Sequence, residues 1–312
     1  MATTFFQPSA ITPDYEHIKS AYTKNIISIP NAYAPIHIFS TGSNGNSILI
    51  KPLRLLIDLG LPKKHYLEYD PNFFDTIKYI VITHHHGDHL NPSTLFYILE
   101  NYKHIKVIIS NFLWNYVTSI KYKAVKKNGV KTYPWAEKFQ KHSARFIPAE
   151  PLWLPINESD EFKLTPRTVK HGDIVNIALQ IYHQPSNLCM LYCTDIDNLK
   201  GGSTFYSSLM TQETVQGLNQ NVMYNAIFLE ANYSEEKIQQ WETDMEIQIK
   251  NDQSITDEER EHLLSNVWTR ANNNRRHISE DEAFLYINRF LESDGIFIPL
   301  HASSMFGTLF QD

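Results

Sequence analysis

The apolar positions of this chain come in short bursts separated by turn residues. Ile36-His37-Ile38-Phe39, Ile48-Leu49-Ile50, Leu53-Arg54-Leu55-Leu56-Ile57, Tyr79-Ile80-Val81-Ile82 and Ile105-Lys106-Val107-Ile108-Ile109 are brief and rich in β-branched residues, as buried strands are. A dense turn signal, Ser40-Thr41-Gly42-Ser43-Asn44-Gly45-Asn46-Ser47, joins the first two, and Lys51-Pro52 breaks the next, so the chain opens as a β-meander. Thr94 to Leu99 follows Asn91-Pro92-Ser93; asparagine is a good N-cap and proline fits the first helical position. Strand, helix, strand implies an α/β unit. Phe146-Ile147, Phe162-Lys163-Leu164 and Thr168-Val169 read as short strands with proline breaks. Asn176 to Ile181, Met190 to Cys193, Ala226 to Leu229 and Ile296 to Leu300 read as further strands.

From Ser234 to about Asn274 the pattern is polar and helical. Ser234 is the expected first N-cap, and Thr256-x-x-Glu259 and Ser279-x-x-Glu282 are capping boxes. Trp241, Met245 and Ile249, then Leu263, Leu264, Val267 and Trp268, form apolar stripes at helical spacing, read as core or as dimer surface. Residues 1–35 are weakly patterned and read as an N-terminal extension. The rest, 36–312, is one large domain with a helical insertion at about 234–274.

The chain has 312 residues, 42% of them hydrophobic, enough to bury a large core. Its formal net charge of -6 gives no global sign of sequence-independent nucleic-acid binding. The one strongly basic stretch carries Lys121, Lys123, Lys126, Lys127 and Lys131. It reads as a solvated helix face or loop, and more sharply as a phosphate-steering patch. Cys189 and Cys193 lie in one strand, roughly 13 Å apart by strand rise and past the ~7 Å limit for a bridge, so both are expected reduced. No apolar run nears the ~20 residues of a membrane span. The first residues lack the basic start and apolar core of a signal peptide. A soluble, cytoplasmic protein without membrane association is the expectation.

The densest chemistry is Thr83-His84-His85-His86-Gly87-Asp88-His89-Leu90, at the exit of the Tyr79–Ile82 strand. Its H-x-H-x-D-H spacing suits zinc first, and also manganese or iron. His84 and His86 alternate along an extended segment and face the same way. Asp88 and His89 then address a second position. A short loop cannot bring all four to one ion and leave an open site, so two divalent metals fit better. A histidine-rich surface loop is the bland alternative, and the buried strand before it argues against that. His85 reads as structural.

The motif resembles the metallo-β-lactamase superfamily of binuclear metallohydrolases, whose fold is an αββα sandwich in the α/β class. The resemblance implies further ligands in a fixed order. His171, after the Thr168-Val169 strand, would complete a first site with His84 and His86, with His183 as its competitor. Asp195, after Met190–Cys193, would bridge the metals, with Asp197 as its competitor. His301, after the last strand, would join Asp88 and His89. Asp58, in Ile57-Asp58-Leu59-Gly60, would support the metal loop by hydrogen bonds. Ser-Gly-Ser-x-Gly-Asn turns followed by Asp-x-Gly resemble the opening of a branch of small phosphodiesterases and nucleases. A phosphate-cradling loop is the other reading, and no helix follows to support it.

Glu230-Ala231-Asn232 resembles the His-Glu-Ala-Thr segment of ribonuclease Z, with leucine in place of the histidine and Asn232 in place of the threonine. His277-Ile278-Ser279 resembles its His-Ser-Thr segment. The resemblance implies that Glu230 holds His277, which donates to the phosphate. Arg275 and Arg276 beside it suit phosphate, or form a solvated basic pair. The implied activity is phosphodiester hydrolysis, with Asp88, His277 and Glu230 catalytic and a cyclic nucleotide favoured as substrate. A nuclease acting on DNA or RNA is the alternative. From other classes come a lactam or thioester hydrolase and a non-catalytic metal-binding scaffold. The branch also implies a homodimer.

Overall fold

The structure, a computed structural model, describes residues 26–27, 36–119, 125–132, 134–197 and 223–301. The described residues divide into two compact units, one up to Leu191 and one from Tyr192 onward.

In the first unit the strands follow the predicted bursts. β1 (Ile26–Ile27), β2 (Ile36–Ser40), β3 (Ser47–Ile50) and β4 (Leu55–Ile57) form an antiparallel meander. β5 (Tyr79–Ile82), β6 (Lys106–Ile109) and β9 (Phe146–Pro148) then add in parallel, giving the order β1-β2-β3-β4-β5-β6-β9. Parallel neighbours need crossover connections. Those after β4 are the helices α1 (Lys63–Tyr69) and α2 (Phe73–Thr76). β5 is followed by α3 (Pro92–Asn101), and β6 by α4 (Asn111–Thr118) and, later, α5 (Pro134–Lys141). Asn91 caps α3 as predicted, its side chain accepting from Thr94 N at 3.1 Å. The side chains of β3, β4 and β5 are buried throughout, as strands covered on both faces should be. Leu56, Ile80, Ile82 and Val107 pack with Tyr66, Phe73, Phe74, Leu95, Ile98 and Phe139 from the helices.

Two local readings change. The basic stretch folds as a hairpin, β7 (Val125–Lys127) against β8 (Val130–Thr132), not as a helix face or loop. Its turn is Asn128-Gly129, both at positive φ (51° and 80°), the strongest short hairpin signal. Lys121 and Lys123 lie outside the described residues. The proline-broken strands are also longer than expected. β10 (Leu152–Pro155), β11 (Glu161–His171), β12 (Ile174–His183) and β13 (Leu188–Cys193) lie in that order. β11 runs straight through Pro166, which sits opposite Leu179 of β12, while β10 reaches only Glu161 to Leu164. Proline is tolerated in a strand where one side has no partner.

In the second unit β14 (Tyr224–Glu230) pairs in parallel with β15 (Leu291–Leu300). Between them come α6 (Glu235–Asn251), α7 (Asp257–Asn274) and α8 (Glu280–Phe290). Both predicted capping boxes form, at Thr256/Glu259 and Ser279/Glu282. Ser234 occupies its N-cap position with no side-chain cap bond. The hairpin of α6 and α7 buries Ile238, Ile249, Val267 and Ala271, and leaves Ile247, Leu263 and Trp268 exposed. Among the described residues no helix is long and apolar enough to cross a membrane.

Candidate metal centre

In the first unit, β4 and β5 end side by side, Ile57 opposite Val81, and their exits carry Asp58 and Thr83. Asp58 is fully buried and its backbone is left-handed, at φ 61°. Its Oδ1 accepts from Thr83 N at 2.8 Å and Thr83 Oγ1 at 3.0 Å. Its Oδ2 lies 2.8 Å from His89 Nδ1. A carboxylate only accepts, so this contact places the His89 proton on Nδ1 and leaves Nε2 with its lone pair. Asp58 thus supports the loop as the resemblance implied. Backbone bonds add to this: Leu59 N to His89 O (2.9 Å) and Asn91 N to Leu59 O (2.7 Å).

Three imidazoles converge at the mouth of this loop. His84 Nε2 lies 3.1 Å from His86 Nδ1, and His171 Nε2, from the end of β11, lies 3.3 Å from the same atom. Zinc–nitrogen bonds of about 2.0–2.1 Å at tetrahedral angles separate ligand nitrogens by about 3.3–3.4 Å. The spacing of His84, His86 and His171 is one that a single such ion could accept. His84 Nδ1 lies 3.2 Å from Thr83 Oγ1, leaving Nε2 for the cluster. Asp88 Oδ2 lies 3.6 Å from His89 Nε2, a separation one cation could bridge. His85 stacks on Tyr116 with centroids 3.7 Å apart. Burial first, then His86 and His171, lowers its pKa, consistent with a structural role. His183, the competitor of His171, is engaged elsewhere: its ring lies 2.6 Å from Ser186 Oγ and 2.9 Å from Asp160 Oδ1.

In the second unit a cluster gathers at strand ends. The β14–β15 register sets Glu230 opposite Leu300, so Glu230 and His301 leave the same edge. Donor atoms of Asp195, Glu230, His277 and His301 all lie within 4.8 Å of one another. His301 Nε2 is 3.3 Å from Asp195 Oδ1, an arrangement one cation can share. Glu230 is fully buried. Its Oε2 accepts from Ile196 N at 2.8 Å, and its Oε1 lies 2.6 Å from His277 Nδ1. Burial opposes the charged His277 ring, but the Glu230 carboxylate, its hydrogen bond, Asp195 and Asp197 outweigh it and raise the pKa to about 9. His277 stacks on His301, centroids 5.6 Å apart. The Glu230–His277 pair expected from the resemblance is thus in contact.

Some expectations change or gain company. Arg275 was a candidate for phosphate, yet its guanidinium is held by Glu235 (2.9 Å) and Glu242 (2.7 Å), which tie its carrier turn to α6. Its role in the structure is to fasten the helical hairpin. Arg276 is exposed. Cys193 is a buried free thiol, and burial, then Glu230 and Asp195, push its pKa far up; a thiol so placed is no nucleophile. Sequence reasoning assigned no role to two buried asparagines. Asn232 donates to His301 O at 2.8 Å, and its N–H donates to Ile278 O at 3.0 Å, joining the segments that carry His301 and His277. Asn46 touches Asp88 and His89. Its signal was present in the turn that precedes β3, but a turn signal alone does not name a partner.

No protein-family model matches the chain, and no curated protein does. Solved structures do resemble it. The short form of human tRNase Z aligns at TM-score 0.50 and 11% identity, over 86% of this chain and 92% of that one. The metallo-β-lactamase fold protein YhfI from Bacillus subtilis gives 0.49 and 13%, over 88% and 87%. Unliganded yeast PDE1 gives 0.39 and 14%, over 92% and 86%. Among the described residues the chain is mixed α/β, with a seven-stranded sheet, a six-stranded sheet, a two-stranded hairpin and helices, and its fold is similar to that of the short form of human tRNase Z.

Proposed function

We propose that this protein is a binuclear metal-dependent phosphodiesterase that opens a nucleotide phosphodiester, with a cyclic nucleotide as the first candidate substrate. His84, His86 and His171 would hold one divalent ion, zinc before manganese or iron. Asp88, His89 and His301 would hold a second, with Asp195 shared. The order of the motifs along the chain supports joining these residues into one centre. Two such ions supply a water acidic enough to ionise near neutral pH and neutralise charge on phosphate oxygens.

The observation that carries the reading is the Glu230–His277 pair. Glu230 is buried and anchored by Ile196 N, so it fixes the ring at 2.6 Å and keeps a proton on Nδ1. The ring's Nε2 then donates a proton to the leaving oxygen, as a phosphodiester with an alkoxide leaving group requires. Asp88, 21% exposed in its side chain, is the group placed to take a proton from the attacking water. A homodimer belongs to the same reading, with the exposed Ile247, Leu263 and Trp268 of the helical hairpin as its apolar surface; a monomeric mass in solution would remove it.

The test incubates metal-loaded protein with cyclic nucleotides and a short oligonucleotide together, read by mass, beside Asp88→Ala. Opened cyclic nucleotides and an intact oligonucleotide support the reading. Cleavage of the oligonucleotide alone makes the protein a nuclease, the name-sake activity of tRNase Z. Neither product, with both ions bound, ends the phosphodiesterase reading in favour of acyl hydrolysis or a non-catalytic scaffold.

A further inference from the structure

The turn between β2 and β3 has so far served only to reverse the chain. Its last polar residue before β3, Asn46, is 2% exposed. Its Oδ1 accepts from Gly42 N at 2.9 Å, and its Nδ2 donates to Gly42 O at 3.1 Å. Nδ2 also donates to Asp88 Oδ2 at 3.2 Å and lies 2.8 Å from His89 Nε2. The backbone repeats the link: Asn46 N donates to Asp88 O at 2.6 Å, and Gly60 N donates to Asn46 O at 3.1 Å.

We infer that Asn46 is a positioning residue for the Asp88–His89 metal-ligand pair, an inference that rests on the binuclear reading above. A carboxamide has two N–H donors. Asp58 fixes the His89 proton on Nδ1, so Nε2 offers a lone pair, and Asn46 Nδ2 is within bonding distance of it. A lone pair given to a cation cannot also accept a hydrogen bond. An ion on His89 Nε2 would displace Asn46 Nδ2 from the lone pair it now faces at 2.8 Å, and a small shift of the amide would turn its two donors to Gly42 O and Asp88 Oδ2, now 3.1 and 3.2 Å away. The amide therefore holds the Asp88 carboxylate in one rotamer and yields His89 Nε2 to the ion without leaving a buried donor unpaired. Leucine or alanine at 46 would remove this donor from the Asp88 carboxylate. Outer partners of this kind commonly change metal affinity about 10–100-fold.

The experiment compares wild type, Asn46→Ala and Thr256→Ala. Thr256 caps its helix by accepting from Glu259 N, so Thr256→Ala lowers stability while leaving the Asn46 turn intact. Bound zinc is counted by mass spectrometry after dialysis, cobalt replacement is followed by its visible spectrum, and melting temperature is recorded for each. The expected result is two ions in wild type and Thr256→Ala. Asn46→Ala keeps one ion at wild-type affinity, binds the second about 10–100-fold more weakly and loses part of the cobalt spectrum. Two ions at wild-type affinity in Asn46→Ala would overturn the inference. So would ion loss that tracks melting temperature in both variants, or a wild type that takes up fewer than two ions. A wild type that binds two ions and cleaves no phosphodiester sinks the proposed activity and leaves the Asn46 result standing.

Discussion

Glu230→Gln offers a test of the Glu230–His277 pair that needs neither metal nor substrate. Glutamine keeps an oxygen for Ile196 N and nearly the same volume, but removes the charge that faces His277 Nδ1 at 2.6 Å. The pair holds His277 at a pKa of about 9 against an ordinary 6.5. Each tenfold change in proton affinity is worth ~1.4 kcal/mol, so the pair contributes roughly 3 kcal/mol as a ceiling. The sign follows from linkage. A raised pKa stabilises the folded state fully below pH 6.5, and this stabilisation fades as pH rises through about 9. In chelator-treated protein, denaturant unfolding should show wild type ahead of Glu230→Gln by up to roughly 3 kcal/mol at pH 6. The gap should shrink by ~1.4 kcal/mol per pH unit above 6.5 and close near pH 10. A nuclear magnetic resonance titration of His277 should give about 9 in wild type. In the variant it should fall to the ordinary value or below, because burial then acts with Asp195 and Asp197 alone opposing it. A gap that widens with pH, or a wild-type ring that titrates below 7, would refute the reasoning.

Three further outcomes follow from other parts of the structure. Gly60→Ala places a Cβ 1.7 Å from Asp88 O and 2.6 Å from Asn46 N, so it should cost about 3 kcal/mol or more; a melting curve like that of wild type would contradict the packing. Thr256→Ala removes the side-chain acceptor of Glu259 N and one half of a capping box, and should cost ~1 kcal/mol in denaturant unfolding. Arg275→Lys cannot reproduce the forked contacts to Glu235 and Glu242. It should loosen α6 in hydrogen exchange while leaving phosphodiester turnover near wild type, and a large loss of turnover would return Arg275 to the phosphate.

What was legible in the sequence was the strand-and-ligand order, because each candidate ligand sits where an apolar run stops. The run Tyr79–Ile82 is buried and ends at Thr83-His84. The run to Leu300 is followed by His301. Pairings between distant residues were less legible. Pro166 argued for a break, and only the short reach of β10, pairing no further than Leu164, explains why the strand continues. Asn128-Gly129 was a hairpin signal masked by the lysines around it. Arg275 looked free for phosphate because its partners, Glu235 and Glu242, lie one helix away in sequence. Of the stripes on α6 and α7, read as core or dimer surface, Ile249 and Val267 are buried, while Leu263 and Trp268 are exposed. Periodicity locates an apolar face and says nothing about what covers it.

A shared backbone device explains why these site residues follow the strands so closely. Asp58 follows β4, Asp195 comes just after β13, and His301 follows β15; their φ values are 61°, 52° and 53°. Left-handed backbone at a non-glycine residue costs about 1–2 kcal/mol, and aspartate and histidine are among the residues that accept it best. A strand alternates its side chains between the two faces of the sheet. One left-handed residue at the strand end stops that alternation and turns the next segment away. The short polar side chain then stays at the edge, where Asp58 meets Thr83 and His89, and where His301 meets Asp195 and Asn232. These contacts hold the strained conformation in place. The residue types that suit metal and proton chemistry are thus also those that suit the turn, and each position is constrained twice. Alanine at any of the three would lose both a polar contact and conformational tolerance, and glycine would restore only the second. If strain relief dominated, Asp58→Gly would be more stable than Asp58→Ala while both failed to retain metal on His89; equal stability of the two variants would show that the carboxylate contacts alone set the backbone.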